Sequence, residues 1–413
     1  MSTTGTGPLR VSLVSEHASP LAELGGPDAG GQNVYVARLA DHLARLGHTV
    51  TVYTRGDAPG LAPRLETATG VHVVHVPAGP ATRLPKDELL RHMPAFGAFL
   101  RRCWVRERPD VVHAHFWMSG RAALAAVRGL EIPVVQTYHA LGTVKRRHQG
   151  SADTSPPRRL EIEAAIGQSC RRVLATCADE VEELAAMGVD RDRVSVVPCG
   201  VDPRHFAPAG GLPRSPDAPR RLLGVGRLVP RKGFERAVRA LPLLPGVELA
   251  VAGGPDASAL ATDPEAQRLR RIAEEVGVSE RVTLLGAVPH HRLPRLMADA
   301  DLVLSLPDYE PFGIVPLEAM ACATPVVATA VGGQLDTVED GVTGLLVPPE
   351  DPGGRLLAEA VRSLLDDPGR LARLGAAGRA RVLDRYGWDR VADGVARVYA
   401  TALATPSLSG ATR

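Results

Sequence analysis

Lysine is almost missing from this chain. Of the 48 lysines and arginines in 413 residues, only Lys86, Lys145 and Lys232 are lysine, so a compact ammonium, where one is needed, must come from these three positions. Cysteine is sparse too. Cys103, Cys170, Cys177, Cys199 and Cys322 are odd in number and scattered, with no C-x-x-C pair; this argues against a disulfide framework or a cysteine-built zinc site and for a reducing compartment. No apolar run approaches the ~18 residues that suggest a membrane span. The N-terminus, MSTTGTGPLRVSLVSE, lacks a charged stretch followed by a long apolar one, so no signal peptide or transmembrane segment is expected and the location is expected to be cytoplasmic. The net charge of +2 gives no field for bulk nucleic-acid binding, and an anionic ligand would have to be held by local groups.

What the chain does have is alternation. At 413 residues it should form two domains of roughly 200 residues each. Strand patterns at Val11–Val14, Thr49–Tyr53, Val71–Val76, Val111–Ala114, Val134–Thr137, Val173–Ala175 and Val194–Val197 alternate with helical stretches. The composition then turns to Pro, Gly, Ala and Arg from Pro203 to Pro219, a linker signature. A second series follows: Leu222–Val225, Val247–Ala252, Val282–Leu285, Leu302–Leu306, Val326–Ala328 and Leu345–Val347, again with helical patterns between. The expected fold is therefore α/β, with doubly wound, Rossmann-like domains over residues 1–202 and 203–387. A helix from Trp388 to Leu403 could join either domain. Such domains bind ligands at the carboxyl ends of their strands, here facing the cleft between them.

Four segments carry chemistry. In DLVLSLPDYEPFGIVPLEAMACATPVV a strand ends near Leu306, a loop carries Asp308, Glu310 and Gly313, and a helix begins near Val315. Helix N-termini offer unpaired N–H groups to phosphate, glycine permits close backbone approach, and Glu310 and Glu318 suit the hydroxyls of a ribose and a sugar. The competing explanation is that both acids merely complement the helix dipole. In LLGVGRLVPRKGF, Arg227 and Lys232 follow a strand end, as a departing pyrophosphate would require; a dinucleotide fingerprint fails because Val229 stands where a third glycine is needed. In GGPDAGGQNVYV, Gly30 and Gly31 form a turn before a helix, able to accommodate phosphate. Among the histidines, His113 and His115 form an H-x-H without a third ligand at sensible spacing, so no metal site is expected. His139, at a strand end, is the better polar active-site candidate, and His290-His291 is compatible with simple exposure.

Together these motifs, with QTYHALG and VVPCGVD, resemble family 4 of the retaining glycosyltransferases, which have the GT-B architecture of two facing Rossmann-like domains. The resemblance runs from about Val11 to about Tyr399. It implies transfer of a hexose-type sugar from a nucleotide-diphosphate donor, UDP favoured, with no metal or other cofactor and with front-face displacement. It implies that Arg227 and Lys232 hold the diphosphate, Glu318 the ribose and Glu310 the transferred sugar. Gly30 and Gly31 would lie against the phosphates, His139 by the donor sugar and backbone around Val288 at the nucleobase, with Phe312, Gly313 and Ile314 completing the donor loop. Two branches of the family look nearest. The sucrose-phosphate synthases share GGQ, LPKDEL around Lys86 and RRLEIE around Arg159; the inositol-phosphate glycosyltransferases of mycothiol synthesis share HASPLA at His17, DAGGQNVYV and HFWMSG. The resemblance thus puts His17, Lys86, Phe116 and Arg159 at a small, phosphorylated acceptor. Against the second branch, Phe116 replaces a tyrosine, Ala140 a threonine and Gln32 a methionine. The expected partners are small molecules, with a homo-oligomer left open. A sugar-nucleotide epimerase would need acid and base groups on both faces of the sugar, which we cannot assign. A catalytically silent nucleotide-sugar binder is disfavoured by the intact set of Arg227, Lys232, Glu310 and Glu318.

Overall fold

In the computed structural model, residues 7–21, 31–209 and 218–405 are described; Gly30 and part of the expected linker lie outside them. The chain divides into two compact units, Met1–Cys199 with Trp388–Arg413, and Gly200–Gly387.

The first unit is built on eight strands: β1 (Arg10–Val14), β2 (Thr49–Arg55), β3 (Arg64–Glu66), β4 (His72–Val76), β5 (Val111–His115), β6 (Val134–Thr137), β7 (Arg172–Ala175) and β8 (Val194–Val196). Their order is β3-β4-β2-β1-β5-β6-β7-β8. All neighbours are parallel except the β3–β4 pair. The central strands are buried on both faces, so that their polar residues, such as Ser12, His113 and Gln136, are buried with the valines and leucines around them. Leu13, for example, pairs with Val52 on one side and His113 on the other. Leu89, Phe96, Leu100, Trp104 and Trp117 fill the core beneath the flanking helices. The helix Trp388–Ala404 belongs to this unit and packs against the helix Gly31–Arg45, with Trp388 edge-on to Tyr35 at 5.5 Å.

The second unit has six parallel strands, β9 (Arg220–Val225), β10 (Val247–Ala252), β11 (Val282–Gly286), β12 (Leu302–Ser305), β13 (Val326–Thr329) and β14 (Leu345–Val347), in the order β11-β10-β9-β12-β13-β14. Its helices start where the chemistry says they should. Asp263 accepts from the Ala266 N–H at 2.8 Å ahead of Pro264, and Asp367 accepts from the Arg370 N–H at 2.8 Å ahead of Pro368, each an N-cap with proline at the first helical position.

Two elements depart from the sequence expectation. β3 is a short, mostly exposed edge whose residues Arg64-Leu65-Glu66 carry no apolar run. The helix Pro368–Arg385 buries Gly375 and Gly378 alongside Leu374 and Val382, and a Cβ on Gly378 would stand 2.9 Å from Met320 Cγ, so half of its buried face has no hydrophobic signature.

In each sheet the first strand of the unit lies between the two halves of the winding. β1 separates β2 from β5, and β9 separates β10 from β12. The loops leaving β1 and β5, and those leaving β9 and β12, therefore diverge to opposite faces and leave a crevice at the carboxyl ends, the standard ligand position in such folds.

Candidate functional site

At the β9/β12 switch point, β9 runs into Gly226, whose φ of +154° L side chains rarely adopt, then into exposed Arg227. A single 3-10 turn, Pro230–Lys232, follows, closed by Gly233 in the left-handed region at φ +68°. A side chain on Gly233 would collide with the Leu306 carbonyl at the end of β12, so glycine is what lets the two loops touch. Arg236 ties them further, donating to the Leu306 carbonyl at 2.8 Å and to Asp308 Oδ1 at 2.7 Å. On this base Lys232 Nζ donates to Glu310 Oε2 at 2.6 Å. Burial raises the Glu310 pKa, but the charge and hydrogen bond of Lys232, the charge of Arg231 and the Phe312 N–H outweigh it, so the carboxyl sits below its ordinary range.

The helix after this loop begins at Ile314, with Gly313 as its cap at φ +71°, and carries no acid in its first turn. Glu310 and Glu318 are therefore not dipole-complementing acids. Glu318 lies on the second turn and is buried. Burial raises its pKa, against the hydrogen bond and charge of His290 and the charge of His205. His290 Nε2 stands 3.7 Å from Glu318 Oε1, and its ring stacks on His205 with centroids 4.9 Å apart and planes 5° from parallel. His290, for which the sequence allowed simple exposure, is half-buried and meets the carboxylate, whereas His291 is exposed. Its proximity to Glu318 comes from the tertiary fold, which no local pattern announces. Val288 is half-buried two residues earlier, and Phe312 and Ile314 flank Gly313.

The β1/β5 switch point gathers the other candidates. β1 delivers His17, and β5 runs into Phe116, which is forced to φ +77°. His139, just beyond β6, is at φ +63°. Both are non-glycine residues in the left-handed region, a strain that collects at ligand sites. Lys86 Nζ lies 3.7 Å from the centre of the Phe116 ring, the Arg159 guanidinium carbon 5.3 Å from it, and the His17 ring packs edge-on at 4.9 Å. Lys86 as a residue is exposed, but loss of water around its ammonium lowers its pKa to about 8, with Glu16 opposing and Arg159 and Lys145 reinforcing. Arg159 is held in place by Glu163 at 2.7 Å, the Ala140 carbonyl at 2.6 Å and Ser155 at 3.1 Å. Lys145, the third lysine, bonds Asp153 at 2.9 Å and Ser155 at 3.0 Å.

His139 is buried, and burial followed by the charges of His115, His17 and Lys86 pushes its pKa well below the ordinary imidazole value; it is neutral at physiological pH. Its Nε2 meets His115 Nδ1 at 3.0 Å. His113, the other half of the H-x-H, is committed to Tyr399 at 2.8 Å and Thr137 at 2.8 Å, a structural role. Gly31 opens the helix Gly31–Arg45. Glu16 escaped the sequence reading altogether: its carboxylate is buried between His17 and Ser119, and only its adjacency to His17 could have signalled it.

Residues 29–205 match the family model described as Glycosyltransferase Family 4, and residues 213–381 that described as Glycosyl transferases group 1. The chain is 38% identical to D-inositol 3-phosphate glycosyltransferase 1 of Catenulispora acidiphila over 417 residues, 97% of each protein. The structure of sucrose-phosphate synthase from Thermosynechococcus elongatus superposes with a TM-score of 0.85 at 32% identity, covering 96% of this chain and 99% of that one. Anabaena HepE in complex with UDP gives a TM-score of 0.72 at 19% identity, over 95% of this chain and 100% of that one, a likeness of fold alone. No helix among the described residues is long and apolar enough to cross a membrane. Paired doubly wound sheets, a full-length relative of this identity and a matching solved structure lead to one conclusion: the chain belongs to the family 4 glycosyltransferases of GT-B fold.

Proposed function

We propose that this glycosyltransferase moves a hexose-type sugar from a nucleoside-diphosphate donor, UDP in the first instance, to a small phosphorylated acceptor in the cytoplasm, with retention of anomeric configuration and without a metal cofactor. The observation that carries the donor half is the Lys232–Glu310 pair, 2.6 Å apart at the β9/β12 switch point, beside exposed Arg227. As the sugar–phosphate bond breaks, negative charge grows on the diphosphate. Arg227 and Lys232 are cations set to hold it, and preorganised charge at a developing anion is usually the largest catalytic term. Glu310, kept ionised, accepts hydrogen bonds from the transferred sugar; Glu318 does so from the ribose, with backbone near Val288 at the base. Phe312, Gly313 and Ile314 bring the start of a helix to the phosphates; Gly30 and Gly31 are assigned to the same phosphates by the family resemblance alone. Neutral His139 serves as a hydrogen-bonding partner of the donor sugar rather than as a proton source.

The acceptor half rests on Lys86 and Arg159 sharing the face of Phe116 with His17. Although Glu163 and Glu16 stand behind them, two cations at one aromatic ring suit a phosphate better than a neutral sugar. Phe116 and Ala140 cannot offer hydroxyls, and a site that lacks a hydrogen-bonding group loses discrimination for the matching acceptor group. The acceptor we infer is therefore a phosphorylated polyol or sugar read mainly through its phosphate.

The test is a matrix of nucleoside-diphosphate sugars against D-inositol 3-phosphate, hexose phosphates and their dephosphorylated forms, read as release of free nucleoside diphosphate. Product anomers are assigned by proton NMR, with and without EDTA. Release requiring a phosphorylated acceptor, a retained anomer and indifference to EDTA are the expected results. An inverted anomer would refute the mechanism, EDTA sensitivity the metal independence, and equal use of dephosphorylated acceptors the acceptor class.

A further inference from the structure

One charge at the β1/β5 switch point has no part in the scheme above. Glu16 lies just beyond β1, and its side chain is fully shielded from solvent. Oε1 meets His17 Nδ1 at 2.7 Å. Oε2 accepts from the Ser119 hydroxyl, whose oxygen in turn accepts from the Glu16 N–H at 3.0 Å. Ser119 sits on the helix Trp117–Ala126, which follows β5, so the carboxylate pins together the loops that diverge from the switch point. Burial alone raises its pKa. His17, by charge and hydrogen bond, then Ser119 and Lys86, more than offset that cost and leave the group ionised.

An apolar side chain of similar size would hold two loops together at least as well, because buried ion pairs are seldom net stabilisers. The carboxylate must matter through what it touches. With both oxygens committed and no exposure, Glu16 cannot itself meet a ligand. What it governs is His17: a ring nitrogen that donates to a carboxylate has its tautomer and orientation fixed by that bond. The ring so held packs edge-on to Phe116 at an interplanar angle of 68°, and that same aromatic ring carries Lys86 and Arg159. Three nitrogen donors thus share one platform, and two of them have a solvent-shielded carboxylate behind them, Glu163 behind Arg159 and Glu16 behind His17.

We propose that Glu16, braced by Ser119, is a positioning residue for acceptor binding, holding the His17 imidazole so that it joins Lys86 and Arg159 around Phe116 in a single site for a phosphomonoester. The inference rests on the acceptor reading given above.

Calorimetric titration of D-inositol 3-phosphate, with inorganic phosphate as the minimal probe, into the full-length protein tests it. The set is wild type, E16Q, H17A and E16Q/H17A. E16Q keeps the volume and removes the charge; it should weaken binding about tenfold, the worth of a charge-assisted hydrogen bond. H17A should do the same, and the double variant should bind no worse than H17A when titrated at about pH 6, where Lys86, whose pKa of about 8 Glu16 helps to hold up, stays charged and Glu16 acts through His17. Wild-type affinity in E16Q, or additive losses in the double variant, would overturn the proposal. Should E16Q fail to fold, S119A, which removes only the brace, is expected to weaken binding severalfold and wild-type affinity there would overturn it. Nitrogen-15 spectra of the histidine rings give a readout that a merely structural Glu16 would not move. Nδ1 of His17 should carry the proton in the wild type without any ligand, and the ring signature should change in E16Q. An unprotonated Nδ1 refutes the positioning role even if the probes bind. A wild type that binds neither probe refutes the acceptor reading, and this inference with it.

Discussion

Lys232→Ala is the substitution for which the geometry makes the most specific claim. It deletes the 2.6 Å bond to Glu310 in a pair whose side chains are only 16% and 14% exposed. Breaking a fully buried pair by removing one partner costs about 3–5 kcal/mol. Here the Phe312 N–H and Arg231 still face the carboxylate, and some water reaches it, which places the loss of stability at about 1–3 kcal/mol. The effect on turnover is separate. Losing one preorganised group from the developing diphosphate charge should lower kcat by about a hundred- to a thousandfold. Lys232→Arg, which keeps the charge but not the compact ammonium, should recover only part of it.

The pH dependence supplies the decisive control. In the wild type the Glu310 pKa is held below its ordinary value of 4.5. Its contribution to stability is then complete above that value and lost only as the pH falls through the lower folded-state pKa. Without Lys232, burial meets much weaker opposition and the folded-state pKa rises. A carboxyl raised by folding stabilises when protonated, so its contribution is present at low pH and lost as the pH climbs through the raised pKa. Melting curves between about pH 7 and about pH 5 should accordingly show K232A gaining relative to the wild type on acidification. Nucleoside-diphosphate release at saturating donor gives kcat over the same range. A variant whose kcat falls less than threefold, or one that loses activity while its stability follows the wild-type pH profile, would refute the assignment of Lys232 as both diphosphate cation and keeper of the Glu310 charge.

Glu318 behaves in the opposite sense. Burial raises its pKa against His290 and His205, so if the ionised form accepts from the ribose, UDP affinity measured by calorimetry should fall on acidification in the wild type. E318Q should bind about tenfold more weakly with little pH dependence. Lys86→Ala should raise the acceptor KM by about tenfold or more while changing the donor KM little, as Michaelis analysis with both substrates varied would show. Tyr399→Phe removes the hydroxyl shared with His113 Nδ1 at 2.8 Å. Thermal or urea melts should report a loss of about 1–2 kcal/mol with kcat unchanged, and a matching fall in kcat would move His113 from scaffold to machinery.

The parallel strands were readable because strands buried on both faces are mostly apolar, as in LVLS at Leu302–Ser305 and VVAT at Val326–Thr329. The elements that were not readable fail that condition. Arg64–Glu66 is an edge through backbone pairing with β4, and Pro368–Arg385 meets its neighbours through Gly375 and Gly378 as well as Leu374 and Val382, so part of its packing signal is a missing side chain. Site residues follow the same logic. Glu310, Gly313 and Glu318 were visible because loop, cap and helix are contiguous, and Lys232 stood out in a chain nearly without lysine.

Partnerships were another matter. Glu16 meets Ser119 only after β1 and β5, far apart in the chain, are laid side by side, and His290 meets Glu318 through the packing of the helix Leu293–Ala298, which it precedes, on the helix Ile314–Ala321. The winding order decides which loops become neighbours. Because β1 pairs with both β2 and β5, and β9 with both β10 and β12, the loops following β1 and β5, and those following β9 and β12, are brought together whatever their sequences. Those loops are free to differ as long as the strands beneath them stay apolar. One switch point carries Lys232 against Glu310, the other His17 against Glu16, and in each the basic group holds a buried carboxylate ionised. A carboxylate used in this way has no local sequence pattern of its own. Its position is dictated by the strand order, and its charge is maintained by the group it serves.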